Sequence, residues 1–299
     1  MRTRVEQVAA LCVAISGLMW GVFWIPLREL SHDGITGIWA VVLFYVAPTV
    51  LLLPLFIWRW RAFTVDAWSL HRAGLFAGIS LVLYSGALVY TSVVQALLLY
   101  YLTPLWSTLL ARMVLGEPIT KVRWGTMIFG LMGLLVILKV DLGLDLSINA
   151  GTLMGFASGI IWACAAVCMR SDKKGDSVDF TLSYFFWGSI AALALTFLPL
   201  EGSTTLPDWQ SVENVLPWFL PVALFLVVPP AFAVMWGATL ISPGLLGILF
   251  MTEISAGVAT AALWAGEPFG TREVIGITLI SMAGLMEPVL MFVKKGAPS

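Results

Sequence analysis

Charge is what this chain has least of. Asp, Glu, Lys and Arg make up 11% of its 299 residues, against about a quarter in a soluble domain, so too little polar surface is present to face water on all sides. There are two histidines, His32 and His71, and three cysteines, Cys12, Cys164 and Cys168. Both histidines lie between apolar runs, which leaves no HExxH pair, no His/Asp membrane-protease pair and no di-metal cluster. The cysteines lie inside apolar runs and make no disulfide framework; Cys164 and Cys168 share a helix face, where plain packing accounts for them. No Walker or dinucleotide fingerprint is present, because Gly125, Gly130 and Gly133 fall within an apolar helix where small residues allow close packing. The net charge of −1 gives no nucleic-acid footprint. The expectation is a protein that is not an enzyme and needs neither cofactor nor metal.

Apolar residues, by contrast, make up 60% of the chain. A helix crosses roughly 30 Å of hydrocarbon with about 20 residues. Uncharged runs at 8–27, 38–58, 150–169 and 180–200 each supply one crossing. The runs 73–111 and 215–252 are about twice the length of one crossing and must each turn back once. The turns are expected near residues 92–95 and at Ser242-Pro243-Gly244. Residues 124–140 and 274–293 complete the set, with Lys139 and Glu287 near one end. Arg2 and Arg4 precede a membrane-length run without a small-x-small cleavage site, so it is read as a retained first helix. The expected fold is an all-α membrane protein with ten transmembrane helices.

The chain also repeats itself. Leu115-Gly116-Glu117-Pro118 returns as Ala265-Gly266-Glu267-Pro268, and Ser16-Gly17-Leu18-Met19-Trp20 returns as Ser158-Gly159-Ile160-Ile161-Trp162. Arg28 and Arg170 follow the second pair at the same distance. Two pairs in one order indicate duplication, with five helices in residues 1–145 and five in 146–299. An odd number of crossings per copy inverts the second copy in the membrane. Thirteen lysines and arginines then fall on one side, and only Arg28, Lys139 and Arg272 on the other. That bias places both termini in the cytoplasm. In such duplicated membrane proteins the substrate site lies between the repeats.

The spans carry polar and aromatic groups but no lysine or arginine near their middles, which favours a neutral, zwitterionic or apolar cargo over a polyanion. Ser80, Tyr84, Ala87 and Thr91 form one stripe of the third helix, and Gln95, Tyr100, Tyr101, Thr103 and Ser107 follow in the fourth. Such groups turn toward neighbours or a wet cavity, either as interhelical packing bonds or as a lining. Trp20 and Trp162 lie mid-span, whereas Trp58, Trp60, Trp68 and Trp124 stand at span ends like an interfacial belt. Gly17 and Gly21, like Gly155 and Gly159, have GxxxG spacing, read as packing. Prolines at 48, 54, 104, 221, 229 and 230 are expected to bend their helices.

Glu253 is the only acidic residue near the middle of a span, where an ionised carboxylate is costly. Three roles stay open: binding a substrate ammonium, exchanging a proton, or bracing a helix by hydrogen bonds. The Gly-Glu-Pro spacing sets Glu253-Ile254 opposite Thr103-Pro104. Candidate lining residues are Trp20, Tyr84, Thr91, Gln95, Tyr101, Trp162 and Glu253.

On the SGxxW and Gly-Glu-Pro pairs and the ten-span layout, the chain resembles the drug/metabolite transporter superfamily, in its branch with two EamA-type repeats. Its ninth helix looks most like that of bacterial YddG-type aromatic amino acid exporters. The resemblance implies a central cavity between the repeats, alternating access, and export of aromatic and other apolar amino acids across the bacterial inner membrane. The partners implied are a small-molecule substrate, an amino acid, and the lipid bilayer. A same-fold carrier of lipophilic cations or other metabolites, and a passive channel or scaffold, are the alternatives. The topology has a direct test: single cysteines at Ser171 and Ser203, in a cysteine-free background, are expected to react with an impermeant thiol reagent from opposite faces. Labelling from one face contradicts the inverted arrangement.

Overall fold

Without water in the hydrocarbon layer, backbone N–H and C=O groups must be satisfied within the chain, which favours helices. The computed structural model describes residues 2–65, 67–91, 96, 99–137, 148–172, 175–198, 200, 206–264 and 269–296, and among them helix is the only regular structure. The first half contains α1 (Arg2–Trp20), α2 (Trp24–His32), α3 (Ile38–Leu51), α4 (Leu53–Trp58), α5 (Trp60–Thr64), α6 (Trp68–Tyr90), α7 (Thr103–Leu110) and α8 (Lys121–Ile137). The second contains α9 (Ala150–Ser171), α10 (Ser177–Leu195), α11 (Trp209–Val222), α12 (Val228–Leu240), α13 (Pro243–Phe250), α14 (Thr252–Trp264) and α15 (Thr271–Gly296). Among the described residues, six helical stretches are long and apolar enough to cross a membrane: Arg4–His32, Trp68–Tyr90, Ala150–Ser171, Ser177–Leu195, Trp209–Leu240 and Pro243–Trp264. Ile38–Leu51 is a shorter apolar helix. The chain is a multi-pass membrane protein.

Several expected breaks are present, each with a local cause. The reversal at Ser242-Pro243-Gly244 is made by the Ser242 side chain, which accepts from the Leu245 N–H, with Pro243 opening α13. A π-helical turn, Ala223–Val227, precedes Pro229 and Pro230 at the start of α12, where the missing proline N–H disturbs the regular ladder. A second π turn, Ala111–Leu115, ends at Gly116 with φ +69°, a left-handed cap that favours glycine. The first span is not continuous as the uncharged run suggested. It breaks after Trp20, and the Gly21 carbonyl at the break accepts from Thr260 Oγ1 at 3.3 Å. The expected turn near residues 92–95 and the second Gly-Glu-Pro lie outside the described residues.

The two halves interlock. α6 packs on α9 and α10, and α1 packs on α12 and α14; α7 meets α13, α3 meets α10, and α8 meets α15. Buried serines stitch the crossings: Ser16 donates to the Pro230 carbonyl and Ser80 to the Ser158 carbonyl, each at 2.8 Å. Arginines tie the span ends. Arg59 grips Asp179 through Nε and Nη2, the latter at 2.9 Å, and reaches Asp176 at 3.2 Å. These bonds hold the guanidinium above its usual range, led by the hydrogen bond to Asp179. Arg170 donates to the Leu240 and Thr239 carbonyls at 2.7 and 3.1 Å. These are the terminal carbonyls of α12, which carry no intrahelical partner. Trp58, Trp60, Trp68 and Trp124 are exposed, as an interfacial belt requires.

Close approach of α14 to the broken first span depends on Gly21. A Cβ added there would stand 2.4 Å from Ala256 Cβ and 2.6 Å from the Glu253 carbonyl. Gly257 faces the same crossing, yet a Cβ on it meets only the Gly21 carbonyl, at 3.5 Å. Gly21→Ala is expected to cost about 1–3 kcal/mol by overpacking. Gly257→Ala is expected to be neutral or to gain up to about 1 kcal/mol, since glycine weakens a helix interior. Melting curves of the detergent-purified variants check the contrast; equal shifts contradict this packing.

Candidate functional site

The span Pro243–Trp264 bends at Met251, where hydrogen bonds tighten to a three-residue step: Met251 N–H to Ile248 carbonyl at 3.2 Å, then Ile254 N–H to Met251 carbonyl at 3.0 Å. α14 therefore starts at Thr252 and holds Glu253 in its first turn, where unpaired N–H groups and the helix dipole favour negative charge. Glu253 is only 7% exposed. Two tyrosines from the first half meet it. The Tyr84 hydroxyl of α6 donates to Oε1 at 3.2 Å, and the Tyr101 hydroxyl, from the turn leading into α7, donates to Oε2. No basic group acts on this carboxylate among the described residues. It is a buried anion site held by two neutral donors, able to take a cationic nitrogen or a proton.

The contacts also correct the expected register between the repeats. Thr103 donates back to the Tyr100 carbonyl, and Thr252 donates back to the Leu249 carbonyl at 2.9 Å. Each threonine also fills the groove over the first glycine of an SGxxW motif: a Cβ on Gly17 would meet Thr252 Oγ1 at 2.2 Å, and one on Gly159 would meet Thr103 Oγ1 at 3.1 Å. The Leu105 N–H to Leu102 carbonyl bond, 3.0 Å, matches that from Ile254 to Met251. Thr103 is thus the counterpart of Thr252, and Glu253 stands opposite Pro104. The Gly-Glu-Pro spacing misses this by one residue because the chain between threonine and motif differs in length between the copies.

Three tyrosine rings cluster at the carboxylate, and further aromatic pairs fill the core. Tyr100 stacks on Tyr84 with centroids 4.2 Å apart, and Tyr101 meets Tyr100 edge-on at 5.1 Å. Trp20 stacks on Phe23 at 5.0 Å and meets Phe250 edge-on at 6.0 Å. Phe23 leads to Phe44 at 3.8 Å, and beyond it Tyr45 faces Tyr184 at 5.8 Å. Of the expected lining residues, Tyr84, Tyr101 and Glu253 come together, while Trp20, packed on Phe23 and Phe250, and Trp162 are buried in the same core. Thr91 sits apart, at the end of α6, where it accepts from Asn149 Nδ2 at 3.5 Å. Gln95 lies outside the described residues.

Sequence reasoning named Tyr100 among the polar groups of the fourth helix without making it a lining residue, and did not single out Tyr45 or Tyr184. The signal was available. Tyrosine usually stands at the headgroup level, whereas five of the six tyrosines here are buried in the core. Among the described residues no group of three or more His, Cys, Asp or Glu is placed to hold a metal.

Comparison with known proteins agrees with this architecture. Residues 7–139 and 149–286 each match the model of the EamA-like transporter family. A biotin transporter of Salmonella typhimurium is 24% identical over 275 residues, 89% of this chain and 88% of the relative. A riboflavin transporter of Vibrio cholerae is 26% identical over 154 residues, 51% of this chain and 48% of the relative. A solved crystal structure superposes with a TM-score of 0.69 at 19% identity, over 95% of this chain and 99% of that one, which shows a shared fold. With both repeats matched, the chain belongs to the EamA-like transporter family: it is a small-molecule membrane transporter, not an enzyme.

Proposed function

We propose that the protein exports aromatic and other apolar amino acids across the bacterial inner membrane by alternating access. In this reading ten spans form two inverted repeats, residues 1–145 and 146–299, with both termini cytoplasmic and the pathway between the repeats. One observation carries the choice of cargo: Glu253 is buried without a cationic partner, bonded by Tyr84 and Tyr101 in a cluster of tyrosine rings. A substrate ammonium completes such a site, and the rings receive an aromatic side chain. The matched relatives are named for biotin and riboflavin. Biotin bears a carboxylate, which Glu253 would repel when ionised; riboflavin is neutral and leaves it unpaired. The same carboxylate and rings support one second reading, a carrier of lipophilic cations, because aromatic faces attract cations.

Counterflow in liposomes tests the proposal. Charge-assisted hydrogen bonds are worth about 1.5–3 kcal/mol, so Glu253→Gln is expected to weaken tryptophan and phenylalanine about tenfold or more. Undiminished exchange in that variant removes Glu253 from substrate binding and leaves it a brace. Well-placed ring pairs contribute about 0.5–1.5 kcal/mol. Trp20→Ala, Tyr101→Ala and Trp162→Ala are therefore each expected to cost tryptophan about threefold to tenfold in affinity, and alanine less. Equal losses for both substrates would assign those rings to structure.

A further inference from the structure

Only two of the five core tyrosines use their hydroxyls on Glu253. The hydroxyls of Tyr45, Tyr100 and Tyr184 are buried, and none makes a hydrogen bond of normal geometry among the described residues; the neighbours of the Tyr45 hydroxyl are those of Tyr184 and Ser85. Burying an unpaired hydroxyl forfeits its hydration without return. Phenylalanine would fill the same space free of that penalty, so packing does not account for three such hydroxyls together. They converge from three parts of the chain. Tyr45 of α3 and Tyr184 of α10 meet edge-on at 5.8 Å, and their hydroxyls are neighbours outside normal hydrogen-bond geometry. Tyr100 precedes α7, stacks on Tyr84 at 4.2 Å, and lies within electrostatic reach of Tyr45, Tyr184 and Glu253.

We infer that the hydroxyls of Tyr45, Tyr100 and Tyr184 form an oxyanion subsite that holds the substrate's carboxylate. The inference rests on the amino acid reading above. An α-amino acid presents opposite charges on neighbouring groups, and a site holding Glu253 alone would attract one and repel the other. Elsewhere an arginine would neutralise the carboxylate, but no lysine or arginine occupies the middle of a span. Phenol hydroxyls supply the alternative: neutral donors that form short, charge-assisted bonds to a carboxylate and place no cation beside Glu253, where it would compete with the substrate ammonium. Zwitterion recognition then divides between Glu253 on one side and the three hydroxyls on the other. The subsite also separates amino acids from lipophilic amines, which the Glu253 side alone does not.

The test compares phenylalanine with phenethylamine, which keeps the ring and the ammonium but lacks the carboxylate. Both compete against labelled phenylalanine, with labelled phenethylamine as a second tracer, on purified parent, Tyr45→Phe, Tyr100→Phe and Tyr184→Phe. Each substitution removes one oxygen and keeps the ring. The expected result is that at least two of the three variants bind phenylalanine about tenfold more weakly while phenethylamine stays within about twofold. Unchanged phenylalanine affinity, or equal weakening of both ligands, overturns the subsite and leaves the amino acid reading standing. A parent that binds phenethylamine and not phenylalanine overturns both, in favour of a cation carrier. A parent that binds neither overturns both without that replacement.

Discussion

A carboxylate inside hydrocarbon must be hydrogen-bonded, and at Glu253 both bonds come from the other half of the chain, from Tyr84 and from Tyr101. Much of the packing serves that meeting. α14 approaches the first span closely enough because Gly17 and Gly21 have no side chains, and the Thr252 hydroxyl beside Glu253 is shared between the Ala14 and Leu249 carbonyls at 2.8 and 2.9 Å. α6 is held in place by α9 and α10 on its other faces. The bend at Met251 sets Glu253 in the first turn of a new helix rather than in the middle of a continuous one. Changing any of these contacts moves the carboxylate relative to its two donors.

The repeats share a backbone device and differ in what it presents. Both copies bend one residue before a threonine that seats over an SGxxW glycine. In the second copy the next residue is Glu253; in the first it is Pro104, which cannot even offer an N–H. A symmetric scaffold thus carries a one-sided site. The first copy contributes Tyr84, Tyr100 and Tyr101 and the second contributes the acid, so binding in the proposed mechanism requires both copies at once. The ion pair of Arg59 with Asp179 and Asp176 likewise joins the halves.

Much of the helical layout was legible in the sequence because length and apolarity decide it: the long uncharged runs became helices, and Ser242-Pro243-Gly244 became a turn. Glu253 and its partners Tyr84 and Tyr101 were also legible, since polar groups within apolar runs must turn inward. The break after Trp20 was legible too, in a residue left out of account: Pro26 has no N–H for the Val22 carbonyl, so the helix opens one turn before it, and Thr260 bonds the Gly21 carbonyl there. The one-residue shift between the copies escaped motif spacing because it is defined by side-chain contacts rather than by matching letters. Thr91 was drawn into the site by its place on the stripe, although the stripe runs on past Tyr84 to the end of α6 and Thr91 ends up beside Asn149. Tyr45 and Tyr184 were missed because each is a lone tyrosine in its span; only convergence in three dimensions makes them a pair.

The central claim is that the substrate ammonium engages the Glu253 carboxyl itself. Infrared difference spectra of the reconstituted carrier, with and without saturating phenylalanine, report on that group directly. The account predicts a carboxyl band that shifts on binding and is missing in Glu253→Gln. Bound phenylalanine with no carboxyl band assignable to Glu253 in the difference spectrum would contradict it.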